Sequence, residues 1–374
     1  MPGQGHEHSV NMKILVVGDG HSAIHEVAVV GAFKKLGHQV ESFYWQKYFS
    51  TFNPLASFLH RAQNKFLIGP TIFRLNRDLI KKAVEFGPEL IFIYRGTHIT
   101  PRTLIELKRL LPKGRLFGYN NDDPFAHGHP PWLWRHFMNC VPIYDLVFAY
   151  RHHNLEDLIK GGAKRVELLR SWFVSELNYP VSLSDEDKLK YECDVVFIGH
   201  FEHDGRLEYL EAIVEAGHRL RIFGPPYEWN NLLLKSRVLR HLAPIHLVWN
   251  TDYIKAICGS KIALCFFSRL NRDTYTRRCF EIPATGTMLL SEYSDDMASL
   301  YSPGIEADFF KSKQEMIGKV KFYLGDDSLR RQVAAAGRQR VINDGHDIVS
   351  RMAKVVQQVE YLKKQGFKHV KRSH

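Results

Sequence analysis

Residues Ser268 to Glu292 read SRLNRDTYTRRCFEIPATGTMLLSE, a polar stretch holding paired arginines, a glutamate and a late glycine between two apolar runs. Ile262 to Phe267, before the polar stretch, has strand length, and Met288 to Leu290 supplies the run that follows. One short helix is predicted between them. Gly286 is placed to stop it, because glycine takes the left-handed conformation that closes helices. Strand, helix and strand in this order form a crossover between parallel strands. The helix then starts at the carboxyl edge of the sheet, where ligands of α/β folds bind.

Arg277 and Arg278 stand near that helix start, where unsatisfied N–H groups already favour an anion such as a diphosphate. Glu281 follows on the same side of the helix, and its carboxylate can accept hydrogen bonds from vicinal hydroxyls such as those of a ribose. Together they describe a nucleotide site. The competing reading is an ordinary Arg277–Glu281 surface pair, which supports a helix by about 0.3–0.5 kcal/mol. Cys279, inside the same stretch, reads as a small buried packing residue rather than a nucleophile.

A chain of 374 residues exceeds what one hydrophobic core usually supports, so two domains are expected. Hydrophobic residues at 45% and charged residues at 24% are ordinary for a globular protein and argue against disorder. No apolar run approaches the roughly eighteen residues of a membrane span. The leader MPGQGHEHSVN lacks the basic and apolar regions of a signal peptide, and is expected to be disordered, with Met12 as an alternative start. Five cysteines without a C-x-x-C pair fit a reducing compartment, so a cytoplasmic location is expected. A net charge of +11 calls for an anionic partner: a nucleotide diphosphate, an acidic glycan, a membrane surface or nucleic acid. No nucleic-acid module is recognisable, so that partner is not expected. The basic tail KKQGFKHVKRSH is a candidate for weak peripheral membrane contact.

Upstream, Lys13 to Val17 reads as a strand, followed by Gly18, Gly20 and a helix from about Ala23 to Leu36. Gly18-x-Gly20-x-x-Ala23 fits the dinucleotide fingerprint, with Glu41 roughly where a ribose-binding acid would stand. Alternatively, these glycines let the backbone approach a second substrate. Residues 60 to 86 read as one helix, Leu90 to Tyr94 and Arg115 to Tyr119 as strands, with a helix over Pro101 to Leu110 between them. The polar run Asn120 to Pro124 follows a strand, so it belongs at the ligand edge, and it continues into His127 and His129. Asp122, Asp123, His127 and His129 compete as a metal set, but turn formation or contacts to an acceptor suit a proline-bounded loop better, and no metal is expected. The expected organisation is a leader over 1–11, an N-terminal Rossmann-like domain over 12–174, a linker over 175–192, a second such domain over 193–345, and a C-terminal helix with basic tail over 346–374.

Asn271, Arg277, Arg278 and the run FEIPATGTMLLSE resemble the C-terminal domain of the group 1 glycosyltransferases, most closely their CgeB-like spore-maturation branch. The segment from Asp327-Ser328-Leu329-Arg330 through Ala336-Gly337-Arg338 to His346 and Arg351 adds to the resemblance, which spans roughly residues 193 to 355. The first domain is alike in architecture alone. The resemblance implies an α/β fold of GT-B architecture, two Rossmann-like doubly wound domains facing a central cleft. It places Glu281 on the ribose, and Asp273 on the family's other acid, near the donor sugar, where relatives usually carry Glu. Arg277, Arg278 and Arg269 fall on positions that neutralise the diphosphate, charge stabilisation that stands in for a metal ion. Gly199 and Arg206 fall where the backbone approaches the donor phosphates, and Gly224 to Tyr227 on the base-recognition loop.

The implied function is a metal-independent, cofactor-free hexosyltransferase using a nucleotide diphosphate sugar and a glycan, glycolipid or protein acceptor. Most of the related clan retains configuration, the leaving phosphate assisting the incoming hydroxyl. An inverting enzyme would need a general base in the first domain, for which His25, Asp122, Asp123 and His127 are the candidates, with Gly18 and Gly20 on the same acceptor side. Three other functions compete: a non-hydrolysing sugar-nucleotide epimerase, an NAD enzyme, and a non-catalytic sugar-nucleotide-binding protein. Glu281→Ala is expected to weaken nucleotide binding with the fold intact.

Overall fold

The computed structural model describes residues 11–50 and 54–370, so nearly all of the leader expected over 1–11 and the last residues of the basic tail lie outside the described residues. The chain divides into two compact units, one made of residues up to Arg170 together with those from Ile348 onward, the other running from Ser171 to Asp347. Each is built on its own parallel sheet.

The first unit's sheet comprises β1 (Lys13–Gly18), β2 (Gln39–Tyr44), β3 (Leu90–Tyr94), β4 (Arg115–Asn120), β5 (Leu146–Ala149) and β6 (Val166–Leu168), in the order β2-β1-β3-β4-β5-β6. All its ladders are parallel. Strands such as LIFIY over Leu90–Tyr94 are buried at every position, because helices cover both faces of such a sheet. The second sheet comprises β7 (Cys193–Ile198), β8 (Leu220–Phe223), β9 (Ser260–Cys265), β10 (Met288–Glu292) and β11 (Asp308–Phe310), in the order β11-β10-β9-β7-β8 and again parallel. Each unit is thus a Rossmann-like α/β layer, and each has a core of its own.

The region read as a single helix over 60–86 forms two, Pro54–Phe66 and Pro70–Phe86. Gly69 at φ 124° and Pro70 at the first helical position force the break, and Leu67 also sits at positive φ. The expected linker over 175–192 carries a helix, Asp185–Tyr191, capped by Ser184 and tied to the second unit by a Lys255–Asp187 ion pair at 2.9 Å. A further helix, Pro226–Lys235, follows the Gly224-Pro225 turn where only a loop was expected. The helix from Ile348 groups with the first unit, packing on the helix Glu26–Lys35. Its Met352, Val355, Val359 and Leu362 recur at helical spacing and are buried, and that stripe is the physical reason the chain returns.

Candidate functional site

In the second sheet β8 lies on one side of β7 and β9 on the other, so the strand order reverses between β7 and β9. The crevice beyond the carboxyl ends of two such strands is where open α/β sheets bind ligands. Gly199 follows β7 directly, and the stretch after β9 runs through Ser268 into the helix Arg278–Ala284. That helix is only seven residues long, with Pro283 in its last turn and Gly286 in the left-handed conformation just beyond. The helix expected from sequence is therefore present, but it starts at Arg278 and is too short for its dipole to dominate. Side-chain charge has to carry the electrostatics instead.

Arg278 reaches across to the end of β7. A Cβ placed on Gly199 would lie 3.4 Å from its Nη2, so the guanidinium lies over bare backbone there. Its buried Nε has no hydrogen-bond partner, and no carboxylate forms an ion pair with it among the described residues. Tyr253, Ile198, Leu264 and Ile282 line the small recess beneath it. A half-buried cation held over a glycine turn at the switch point is competent to receive a phosphate.

Gly224 completes the same corner. A Cβ there would come within 2.3 Å of the Gly199 carbonyl oxygen, and Trp229 Nε1 donates to that oxygen at 2.9 Å. Gly224 thus permits a close backbone approach that fixes the Gly199 turn. Arg206 does not present its charge to a ligand. It is buried, donating to both Asp204 oxygens and, at 2.6 Å, to the His200 carbonyl. The donor-binding role expected of Arg206 is corrected accordingly: its guanidinium is spent on shaping the loop. Glu228 accepts from the Phe201 amide at 3.0 Å and lies 2.9 Å from His200 Nδ1. Burial pushes Glu228 up, but these contacts outweigh it and hold the carboxyl below its usual range. Tyr227, in the segment expected to recognise the base, projects into solvent from the first turn of the helix Pro226–Lys235.

Glu281 departs from expectation. It is 1% exposed, and its two oxygens are engaged from inside: Tyr253 Oη donates to Oε2 at 2.7 Å, and Arg277 Nε stands 2.7 Å from Oε1. Burial, then the Glu281 charge, pushes the Tyr253 phenol well up, so it stays a donor. The solvent-facing surface pair is therefore excluded, and Glu281→Ala, expected to spare the fold, would remove a buried acceptor. Tyr253, on the helix Asn250–Cys258, was missed by sequence reasoning because nothing local marks its link to a glutamate far along the chain.

The loop from Ser268 to Asp273 closes on itself. The Asp273 amide donates to the Ser268 carbonyl at 2.8 Å, and the Asn271 amide to Ser268 Oγ at 3.2 Å. Arg269 is exposed and pairs with Glu292 at 2.7 Å while its amide donates to Glu202. Burial raises Glu292, with Arg269 and the Phe267 amide opposing it. Arg269 and Arg278 thus differ: one is neutralised by a carboxylate, the other is not.

In the first unit the strand order reverses between β1 and β3. His25 Nδ1 lies 2.8 Å from Tyr94 Oη at the end of β3, and Arg95 pairs with Asp122 at 2.6 Å. Asp123 is fully buried and accepts from the Phe125 amide and Asn154 Nδ2, both at 3.0 Å, which makes it a turn and packing residue. His127 is exposed. Asp122, Asp123, His127 and His129 do not converge, and among the described residues no group of three or more His, Cys, Asp or Glu side chains could hold a metal ion. Gly18 is required because Glu26 Cγ would lie 2.2 Å from any Cβ added there, and Gly20 faces the Tyr44 ring in the same way. Glu26 is buried beneath this loop, accepting from the Asp19 amide at 3.1 Å, with Oε2 unpartnered. It too was missed, its only signal being a carboxylate at a helix start. The dinucleotide reading loses its acid, since Glu41 sits within β2 and pairs with Lys82 at 2.6 Å. The helix also begins at Glu26 rather than Ala23.

Residues 206–357 match the family described as glycosyl transferase-like. No curated protein sequence matches the chain. Among solved structures, Anabaena Alr3699/HepE in complex with UDP and glucose superposes with a TM-score of 0.64 at 14% identity, covering 94% of this chain and 100% of that one. Sucrose-phosphate synthase from Thermosynechococcus elongatus gives 0.64 at 12% identity, with the same coverages. A UDP-N-acetylglucosamine 2-epimerase, so described for Listeria monocytogenes, gives 0.58 at 11%, covering 95% and 97%. At such identities the likeness concerns the fold, which is GT-B.

Proposed function

From the premise of a glycosyltransferase-family domain on a GT-B fold, we propose that this protein transfers a sugar from a nucleoside diphosphate sugar, with UDP as the nucleotide, to a glycan, glycolipid or protein acceptor. The observation that carries this reading is Arg278, a cation with no carboxylate partner over Gly199 at the switch point. As the bond to the diphosphate breaks, charge grows on the leaving oxygens, and a preorganised guanidinium stabilises it without a metal ion. Arg277 stands beside it, paired with Glu281, the residue that the family resemblance assigns to the ribose. Asp273 braces the loop beside the donor sugar, and Asn271 and Arg269 lie on the same loop.

The transfer retains configuration, as it does in most of the related clan, so the leaving phosphate takes the acceptor proton. The candidates for a protein base support this route. Asp122 is committed to Arg95 and Asp123 is buried in a turn. His25, held by Tyr94, then orients the acceptor hydroxyl. Five free cysteines accord with a cytoplasmic location. Among the described residues no helix is long and apolar enough to cross a membrane.

Titrating UDP into the protein calorimetrically tests the site. Wild type is expected to bind, and Arg278→Ala to bind about 10- to 100-fold more weakly, the worth of a charged hydrogen bond of about 1.5–3 kcal/mol, with the difference shrinking in high salt. Equal affinity of the two proteins at low salt assigns the diphosphate to other residues.

A further inference from the structure

The helix pair Pro54–Phe66 and Pro70–Phe86 plays no part in either switch point, yet it exposes large apolar side chains at an unusual density. Phe58, Leu59, Phe66, Ile68 and Phe73 are all exposed, Ile68 at 62% and Phe73 at 70%. Elsewhere in the described chain exposed apolar side chains are more scattered. Contiguous exposed apolar surface marks an interaction site.

The turn that carries the patch is rigid. Leu67 points inward and is buried, and its carbonyl lies 2.8 Å from His136 Nε2 and 3.4 Å from Arg135 Nη2. Arg135 also reaches the Phe66 carbonyl at 3.2 Å, and Gln63 accepts from the Thr71 amide at 2.7 Å. With Leu67 locked in, its neighbours Phe66 and Ile68 are turned outward. Trp132 stands beside Phe66, with ring centroids 5.4 Å apart.

Charge identifies what covers this surface. Between Glu41 and Asp78 the sequence holds no Asp or Glu, while Arg61, Lys65, Arg74 and Arg77 fall within the same span. Arg61, Lys65 and Arg74 are exposed around the apolar residues. Exposed apolar side chains flanked by the cations Arg61 and Lys65, with Asp78, the next acid along the chain, taken up by Arg77 at 3.1 Å, suit a bilayer with anionic headgroups: the rings enter the acyl boundary and the cations meet phosphates. Tryptophan belongs at that depth as well. We infer that the turn between these two helices docks the protein peripherally on anionic lipid bilayers, through Phe66, Ile68 and Phe73 with Arg61 and Lys65.

Vesicle flotation of the full chain tests this, using phosphatidylcholine vesicles and vesicles in which about a third of the lipid is phosphatidylglycerol. Wild type is expected to float with the anionic vesicles about tenfold more readily than with the neutral ones. Ile68→Ser combined with Phe73→Ser, and separately Arg61→Glu with Lys65→Glu, are each expected to lower binding about tenfold while the thermal transition stays in place. Three results overturn the inference. Wild type stays unbound on anionic vesicles; or both double variants float like wild type while Lys371→Glu with Arg372→Glu does not, moving the contact to the tail; or light scattering finds a dimer that Ile68→Ser with Phe73→Ser disperses, which gives the patch to a second copy.

Discussion

Glu281 is the residue whose environment changes its meaning most. Its spacing from Arg277 and Arg278 is legible in the sequence, as is the helix that holds them on one side. Its burial against Tyr253 is not, because that contact joins two helices whose packing no local pattern encodes. The structural consequence is testable. Glu281→Ala leaves the Tyr253 phenol without its acceptor and takes the paired carboxylate from Arg277, and removing one partner of a buried ion pair costs about 3–5 kcal/mol. Urea denaturation is expected to show a loss of about 3 kcal/mol for Glu281→Ala and a smaller loss for Glu281→Gln, which keeps an acceptor for Tyr253. A Glu281→Ala variant within about 0.5 kcal/mol of wild type would mean that the carboxylate faces solvent after all.

At the scale of elements, the glycine loop after β1 shows a motif whose glycines are also needed for packing inside the protein. Gly18 and Gly20 are needed, but each makes room for a side chain of the protein, Glu26 or Tyr44. Burial raises the Glu26 carboxyl above its usual range despite the Asp19 amide. The folded state therefore favours the protonated form. Its contribution to stability is complete below the ordinary glutamate pKa and is lost as pH rises through the raised value. Urea midpoints recorded from about pH 4 to about pH 8 are expected to fall more steeply for wild type than for Glu26→Gln, which has no proton to lose. Parallel curves would show that Glu26 titrates as an exposed glutamate does. The break of the first long helical pattern at Gly69-Pro70 was equally readable, since proline at a first helical position follows a known rule. The apolar spacing continues on both sides of the break and masks it.

Across the molecule, the alternation of apolar strands with helices made two Rossmann-like layers evident from sequence, and the parallel sheets bear that out. Strand order is a different matter, because period and propensity do not say on which side of β7 a later strand will pair. The switch point, and with it the meeting of Gly199 and Arg278, becomes visible only in the fold. The destination of the last helix was hidden in the same way. Its buried stripe of Met352, Val355 and Val359 could be read as a face, but not as a face against the first unit.

The same fold also serves a protein described as an epimerase, so turnover decides the central claim. Incubating the purified protein with UDP-sugars and candidate acceptors, and following both free UDP and the identity of the sugar nucleotide by mass spectrometry, is the most direct measurement. A transferase is expected to release UDP matched by sugar added to an acceptor, with both lost in Arg278→Ala. A sugar nucleotide converted to its epimer, with no acceptor modified, would contradict it.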